Sequence, residues 1–237
     1  MAAEHTVSSL PMAATGSDLQ IRPEVRHRVA ANLVAVEGID KAGKTTLVTV
    51  LEAELRRRGL RVARHKEPSD GHLGASFRRL STVTTVNPLA MALMSAADRA
   101  DQQTHVADLC QTHDVVLADR YYLSGLAYHA ADGIDLTFYQ YLNTMMIRPG
   151  LYLFLQVNPG VAAARYSDGE RPDRWERDTV ASRLPDSYET ALARIADDEH
   201  ANIVRLDANP SAAVVLRDAL AVVAHRLPTT VRTEAVP

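Results

Sequence analysis

One octet constrains this chain more than any other feature: Gly38-Ile39-Asp40-Lys41-Ala42-Gly43-Lys44-Thr45. A glycine, four free positions, a second glycine, a lysine and a threonine form the phosphate-binding P-loop pattern. Glycines let the backbone wrap closely around an anion. The helix that must follow presents free N–H groups and a favourable dipole to it. The lysine reaches the outer phosphates and the hydroxyl binds magnesium. The flanks fit. Asn32 to Glu37 is a short buried-strand candidate, and Lys44 to Arg58 carries Leu47, Val50, Leu51 and Leu55 at helical spacing before Gly59 stops it. The loop residues Gly38 through Thr45, with Thr46, are therefore expected to hold a nucleoside triphosphate, with Lys44 on its β- and γ-phosphates and Thr45 on magnesium.

The rest of the chain alternates in the same way. Strand candidates lie at Leu60–Arg64, Asp114–Ala118, Leu151–Val157 and Ala201–Leu206, and helices at Pro88–Gln111 and about Ser211–His225. Near-continuous apolar strands separated by helices predict an α/β fold with a five-stranded parallel sheet covered on both faces. Ligands on such sheets bind beyond the carboxyl ends of the strands, where Gly38 onward and Asp119-Arg120 both fall. Residues 1–28 and 228–237 read as flexible extensions around one domain at 29–227.

Composition excludes several classes. A net charge of −3 gives no nucleic-acid footprint. No apolar run approaches the roughly 18 residues of a membrane span. The N-terminus lacks a secretory pattern, and a single cysteine, Cys110, forbids an internal disulfide. A soluble cytoplasmic protein is expected. A guanine-reading Asn-Lys-x-Asp is missing from the sequence, which argues against a regulatory GTPase.

Five blocks in order resemble the thymidylate kinases, which phosphorylate dTMP. They are Glu37-Gly38-Ile39-Asp40-x-Ala42-Gly43-Lys44-Thr45-Thr46, Lys66-Glu67-Pro68, Ala97-Asp98-Arg99, Asp119-Arg120-Tyr121 with Ser124, Ala127 and Tyr128, and Asp173-Arg174-Trp175-Glu176. The resemblance spans Leu33 to Ala224. It implies the three-layer P-loop kinase fold with a short lid at about 165–176, ATP and Mg2+ as donor and metal, a nucleoside monophosphate acceptor and a homodimer. Arg120 would grip the acceptor's phosphate, for which a planar two-pronged guanidinium is suited. Asp119 would hold a magnesium-bound water. Asp40 would face the acceptor's sugar and phosphate, Lys66 would add a cation, Arg99 would face the base, and Tyr128 would disfavour ribose. Lys41, or Arg165, Arg171 and Arg174 around the lid, would stabilise charge on the transferring phosphoryl group. An alternative for Arg99 is an ion pair with Asp98 or Asp101.

Departures cluster on the base side. Ser95 stands where those enzymes stack a phenylalanine, and Gly125 and His129 replace polar residues. The acceptor is expected to be dTMP or a related 5-substituted pyrimidine deoxynucleotide. The alternatives are another acceptor on the same scaffold, or a non-catalytic ATP-binding module.

Overall fold

The computed structural model describes residues 28–83, 85–165, 175, 180 and 182–226. The terminal extensions, Arg171, Arg174 and most of the expected lid lie outside the described residues. Among the described residues the strands are β1 (Val29–Glu37), β2 (Val62–Lys66), β3 (Val115–Asp119), β4 (Arg148–Gln156) and β5 (Ile203–Asp207). The helices are α1 (Lys44–Arg57), α2 (His72–Ser81), α3 (Pro88–Asp101), α4 (Gln103–Thr112), α5 (Tyr122–Ala131), α6 (Leu136–Leu142), α7 (Pro159–Ala163), α8 (Leu184–Glu199) and α9 (Ala212–Arg226).

All five strands are parallel, in the order β2-β3-β1-β4-β5. Successive side chains of a strand point to opposite faces, and here both faces are apolar. Leu33 and Ala35 of β1 join Val116 and Ala118 of β3 in one core, with α3, α5 and α8. Val34 and Val36 join Val115 and Leu117 in the other, with α1 and α9. This is why the strands read as continuous apolar runs rather than alternating ones.

The strand order sets the site. β3 inserts beside β1, so Val36 is level with Asp119, and Asp119 is level with Lys66 of β2. Three segments far apart in sequence therefore emerge at one edge: the glycine loop, Asp119-Arg120 and Lys66-Glu67. The expected single helix over Pro88–Gln111 starts where Asn87 accepts from Leu89 N at 2.8 Å, but it is two helices, broken at Gln102. Helices α2, α5, α6, α7 and α8 are additions to the sequence reading.

Candidate active site

Gly43 takes φ 99° at the start of α1, a backbone that side chains other than glycine rarely adopt. The turn aims the first N–H groups of α1, which have no partner within the helix, into the loop. Lys44 folds back inside it, and its Nζ donates to Ile39 O at 2.5 Å. Burial, with Arg120 nearby, lowers the Lys44 ammonium to about 7; Asp40, Asp119 and Glu37 oppose the shift. Thr45 Oγ1 donates to Asp119 Oδ2 at 2.6 Å.

That hydroxyl and carboxylate form a hard-oxygen pair beside the loop, which fits magnesium held by one or two protein oxygens together with phosphates and water. Among the described residues there is no cluster of three or more His, Cys, Asp or Glu that would make an all-protein cage.

Arg120 leaves the end of β3 with a left-handed backbone, φ 66°, anchored by its N–H to Val36 O at 3.1 Å. Its guanidinium donates to the Asp40 carboxylate, and to Gly38 O and Ser124 Oγ at 3.3 Å each, and it lies 5.1 Å from the centre of the Tyr128 ring. The hydroxyl of Tyr128 donates to the other Asp40 oxygen at 2.6 Å. Burial alone would raise the Asp40 carboxyl, but Arg120, Lys44 and Tyr128 outweigh it and hold it below its ordinary range. Arg120 and Asp40 keep only 19% and 23% of their side chains exposed, so the pair is largely covered and borders the hollow.

Beneath it, Glu37 is buried and accepts from Tyr121 N at 3.0 Å and from Ser124 Oγ. Tyr188 of α8 donates to Gly38 O at 2.9 Å and meets Ser124 Oγ at 2.9 Å. These groups tie the first loop residue to Arg120. Neither Glu37 nor Tyr188 carries a role in the sequence reading. Tyr188 in particular has no local signal, being one apolar-face position on an amphipathic helix.

Two hollows flank the loop. One is lined by Asp40, Arg120, Tyr128, Ser95, Gly125 and His129, together with Glu67, Phe77, Arg78 and Trp175. The other is lined by Gly43, Thr46, Leu155, Arg165, Ala208 and Pro210. Arg165 spans it, donating to Lys41 O at 3.1 Å and Ala208 O at 2.9 Å. Lys41 takes φ 60° within the loop. Lys66 stands exposed at the end of β2 and is not among the residues lining either hollow.

Arg99 is only 2% exposed, and its ion-pair partner is Glu67 rather than Asp98 or Asp101. Its guanidinium also donates to Asn143 Oδ1 at 2.6 Å, Tyr139 Oη at 3.3 Å and Tyr121 O at 3.4 Å. Asp98 accepts instead from Ser69 N at 2.8 Å and from Ser69 Oγ at 2.5 Å. Ser95 Oγ donates to Ala92 O at 2.9 Å. With its one hydrogen so used, it accepts from His129 Nε2 at 2.7 Å and from Tyr139 Oη at 2.8 Å. Position 95 is thus a hydrogen-bonded node on the wall of the hollow.

Gly125 belongs to the same arrangement. A Cβ there would meet Tyr139 Oη at 2.4 Å and its ring at 2.9 Å. Tyr139 is fully buried, so it has little freedom to move aside. Gly125→Ala is expected to destabilise the fold by about 1–3 kcal/mol. Thermal denaturation checks this, and an unchanged midpoint would contradict it.

Lys44 predicts a pH dependence. Its value is depressed in the folded state, so between about 7 and its ordinary 10.5 the unfolded chain binds one more proton than the folded one. This group's contribution to stability therefore rises with pH across that window and is flat below it. A polyphosphate in the loop is expected to reverse the shift, so that its binding at pH 8 takes up a proton. Calorimetry in buffers of different ionisation heat measures the uptake, and Lys44→Ala removes it.

A parallel sheet with a P-loop at its central strand, Asp119-Arg120 at the end of the neighbouring strand and a hollow on either side of the loop define a P-loop kinase. Residues 36–219 match the family model for thymidylate kinase. The chain is 32% identical over 197 residues to the thymidylate kinase of Xanthomonas oryzae pv. oryzae, covering 82% of this chain and 84% of that one. It is 31% identical over 167 residues to a probable thymidylate kinase of Pyrobaculum aerophilum, covering 70% and 83%. A solved thymidylate kinase from Candida albicans shares the fold at a TM-score of 0.68 and 22% identity, covering 81% of this chain and 90% of that one. The chain belongs to the thymidylate kinase family.

Proposed function

We propose that this protein transfers the γ-phosphoryl group of ATP to dTMP, giving dTDP and ADP. The observation that carries the reading is the P-loop set between two hollows, one bordered by Arg165 and Ala208, the other by Arg120 and Asp40. ATP would lie in the first, with its outer phosphates in the loop, and dTMP in the second, with its phosphate on Arg120. Phosphoryl transfer needs positioning and charge neutralisation more than covalent chemistry. Lys44, at the start of α1, and Arg120, just past β3, would bring cations to the donor and acceptor phosphates.

Asp40 has two jobs: it orients Arg120 and offers its carboxylate to the acceptor's sugar. Tyr128 backs the guanidinium and holds Asp40, placing a ring against the 2′ side of a deoxyribose. Lys41, or Arg165, Arg171 and Arg174, would stabilise charge on the transferring group, and Lys66 would add an outer cation. Thr45 and Asp119 would hold magnesium, which when bound would supply charge neutralisation for the phosphates. A homodimer and a cytoplasmic location are proposals that rest on family membership. Among the described residues, no helix is long and apolar enough to cross a membrane.

Phosphorus NMR of a mixture of protein, ATP, magnesium and dTMP tests the reading. The β-phosphate resonance of dTDP is the expected product signal. ATP hydrolysis without dTDP would refute transfer to this acceptor.

A further inference from the structure

Behind Arg120 four oxygens stand in a row: a carboxyl oxygen of Glu37, Ser124 Oγ, Tyr188 Oη and Gly38 O. Glu37 Oε2 is hydrogen-bonded to Ser124 Oγ. Ser124 Oγ meets Tyr188 Oη at 2.9 Å, and Tyr188 Oη meets Gly38 O at 2.9 Å. Each of these three contacts needs a hydrogen. The two hydroxyls bring one each, and a backbone carbonyl brings none. If Glu37 is ionised, one contact is left as two bare oxygens facing each other. Glu37 and Tyr188 are fully buried and Ser124 is 7% exposed, so such a contact would be costly. Arg120 also donates to Ser124 Oγ, at 3.3 Å, but from outside the row. The other oxygen of Glu37 already accepts from Tyr121 N at 3.0 Å. The missing hydrogen therefore belongs on Glu37 Oε2.

We propose that Glu37 carries a proton in the folded protein and, in that neutral form, is a positioning residue for Arg120. The carboxyl donates to Ser124, Ser124 to Tyr188, and Tyr188 to Gly38 O. The row then runs one way, from the end of β1 through α5 and α8 back to the glycine loop, with every hydrogen used. Two of its members, Ser124 Oγ and Gly38 O, also accept from the Arg120 guanidinium at 3.3 Å each, so the row sets the fork that would meet the acceptor's phosphate. Burial favours the neutral acid and raises the Glu37 carboxyl from its ordinary range, with Ser124 and Arg120 opposing. The charged or titratable groups facing it are Arg120, Lys44, Glu67, Tyr152 and Tyr188. An ionised Glu37 would add to the negative charge of Asp40 in a site that must attract polyanions. A neutral acid supplies the same hydrogen bonds without that charge. The link to a bound phosphate rests on the functional reading above; the count of hydrogens does not.

Infrared difference spectra between wild type and Glu37→Gln test the proton. At pH 7, where an exposed glutamic acid is ionised, wild type is expected to show the C=O stretch of a protonated carboxyl that the variant lacks. A carboxylate band in its place would overturn the proposal. Kinetics with ATP and dTMP test the positioning. Glu37→Ala is expected to raise KM for dTMP about tenfold or more, since Tyr121 N and Ser124 lose their buried partner, with KM for ATP little changed. Glu37→Gln, whose amide accepts from Tyr121 N and donates to Ser124, is expected to recover most of that loss. Equal impairment of the two variants would show that the charge is what matters and would overturn the proposal. If Glu37→Ala does not fold, the infrared comparison still decides. If wild type transfers nothing to dTMP, the functional reading fails, and the infrared result still settles whether Glu37 is protonated.

Discussion

Arg120→Ala is expected to lower kcat/KM for dTMP by about a thousandfold. Two charge-assisted hydrogen bonds to a phosphate contribute about 1.5–3 kcal/mol each, and about 4 kcal/mol corresponds to three decades in rate. Nothing else on β3 can substitute, because the guanidinium's aim depends on its own backbone. Arg120 holds φ 66° through its N–H bond to Val36 O, and Asp40, Gly38 and Ser124 hold the head group. The site therefore meets the acceptor with the cation already oriented, so little ordering is lost on binding. Arg120→Lys is expected to recover only part of the loss, since an ammonium keeps the charge without the fork. Affinity for ATP, measured by calorimetry, is expected to change less than tenfold. A loss of kcat/KM below tenfold in the alanine variant would remove Arg120 from the mechanism.

Lys44→Ala is expected to reduce kcat by about a hundredfold to a thousandfold, the usual effect of deleting one preorganised donor to developing charge. It is also expected to leave the nucleotide-free protein no less stable above pH 7. The reason is the same burial that lowers the ammonium to about 7: the free protein holds a cation poorly there. Such a site sacrifices stability for a charge that only a bound phosphate satisfies. Steady-state kinetics and thermal denaturation at pH 8 check the two halves separately. Near-wild-type kcat, or a marked fall in melting temperature, would contradict this role.

How much of this was legible follows from where the information sits. The loop, β1 and α1 are local: glycine spacing, an apolar run and a helical repeat lie within about two dozen residues. Asp119-Arg120 was legible because it ends an apolar strand. The juxtaposition of Val36, Asp119 and Lys66 was not, since it depends on β3 inserting between β1 and β2. Arg99 shows the same limit. Its sequence neighbours Asp98 and Asp101 suggested a local pair, yet its partner Glu67 comes from the loop after β2. Ser95, Gly125 and His129 read as three unrelated departures. They are one arrangement organised by Tyr139, a residue on a short helix with no motif of its own. Phe77 was equally silent, and its stacking on Trp175, about a hundred residues away, is visible only in the fold.

The central claim is that the hollow beside Arg120 takes dTMP as phosphoryl acceptor. The most direct measurement is ADP release with ATP and magnesium across a panel of nucleoside monophosphates that includes dTMP, dUMP, dCMP, AMP and GMP. The account predicts the highest kcat/KM with dTMP, abolished by Arg120→Ala. Faster turnover with a purine or ribose acceptor than with dTMP, or no acceptor-dependent release at all, would contradict it.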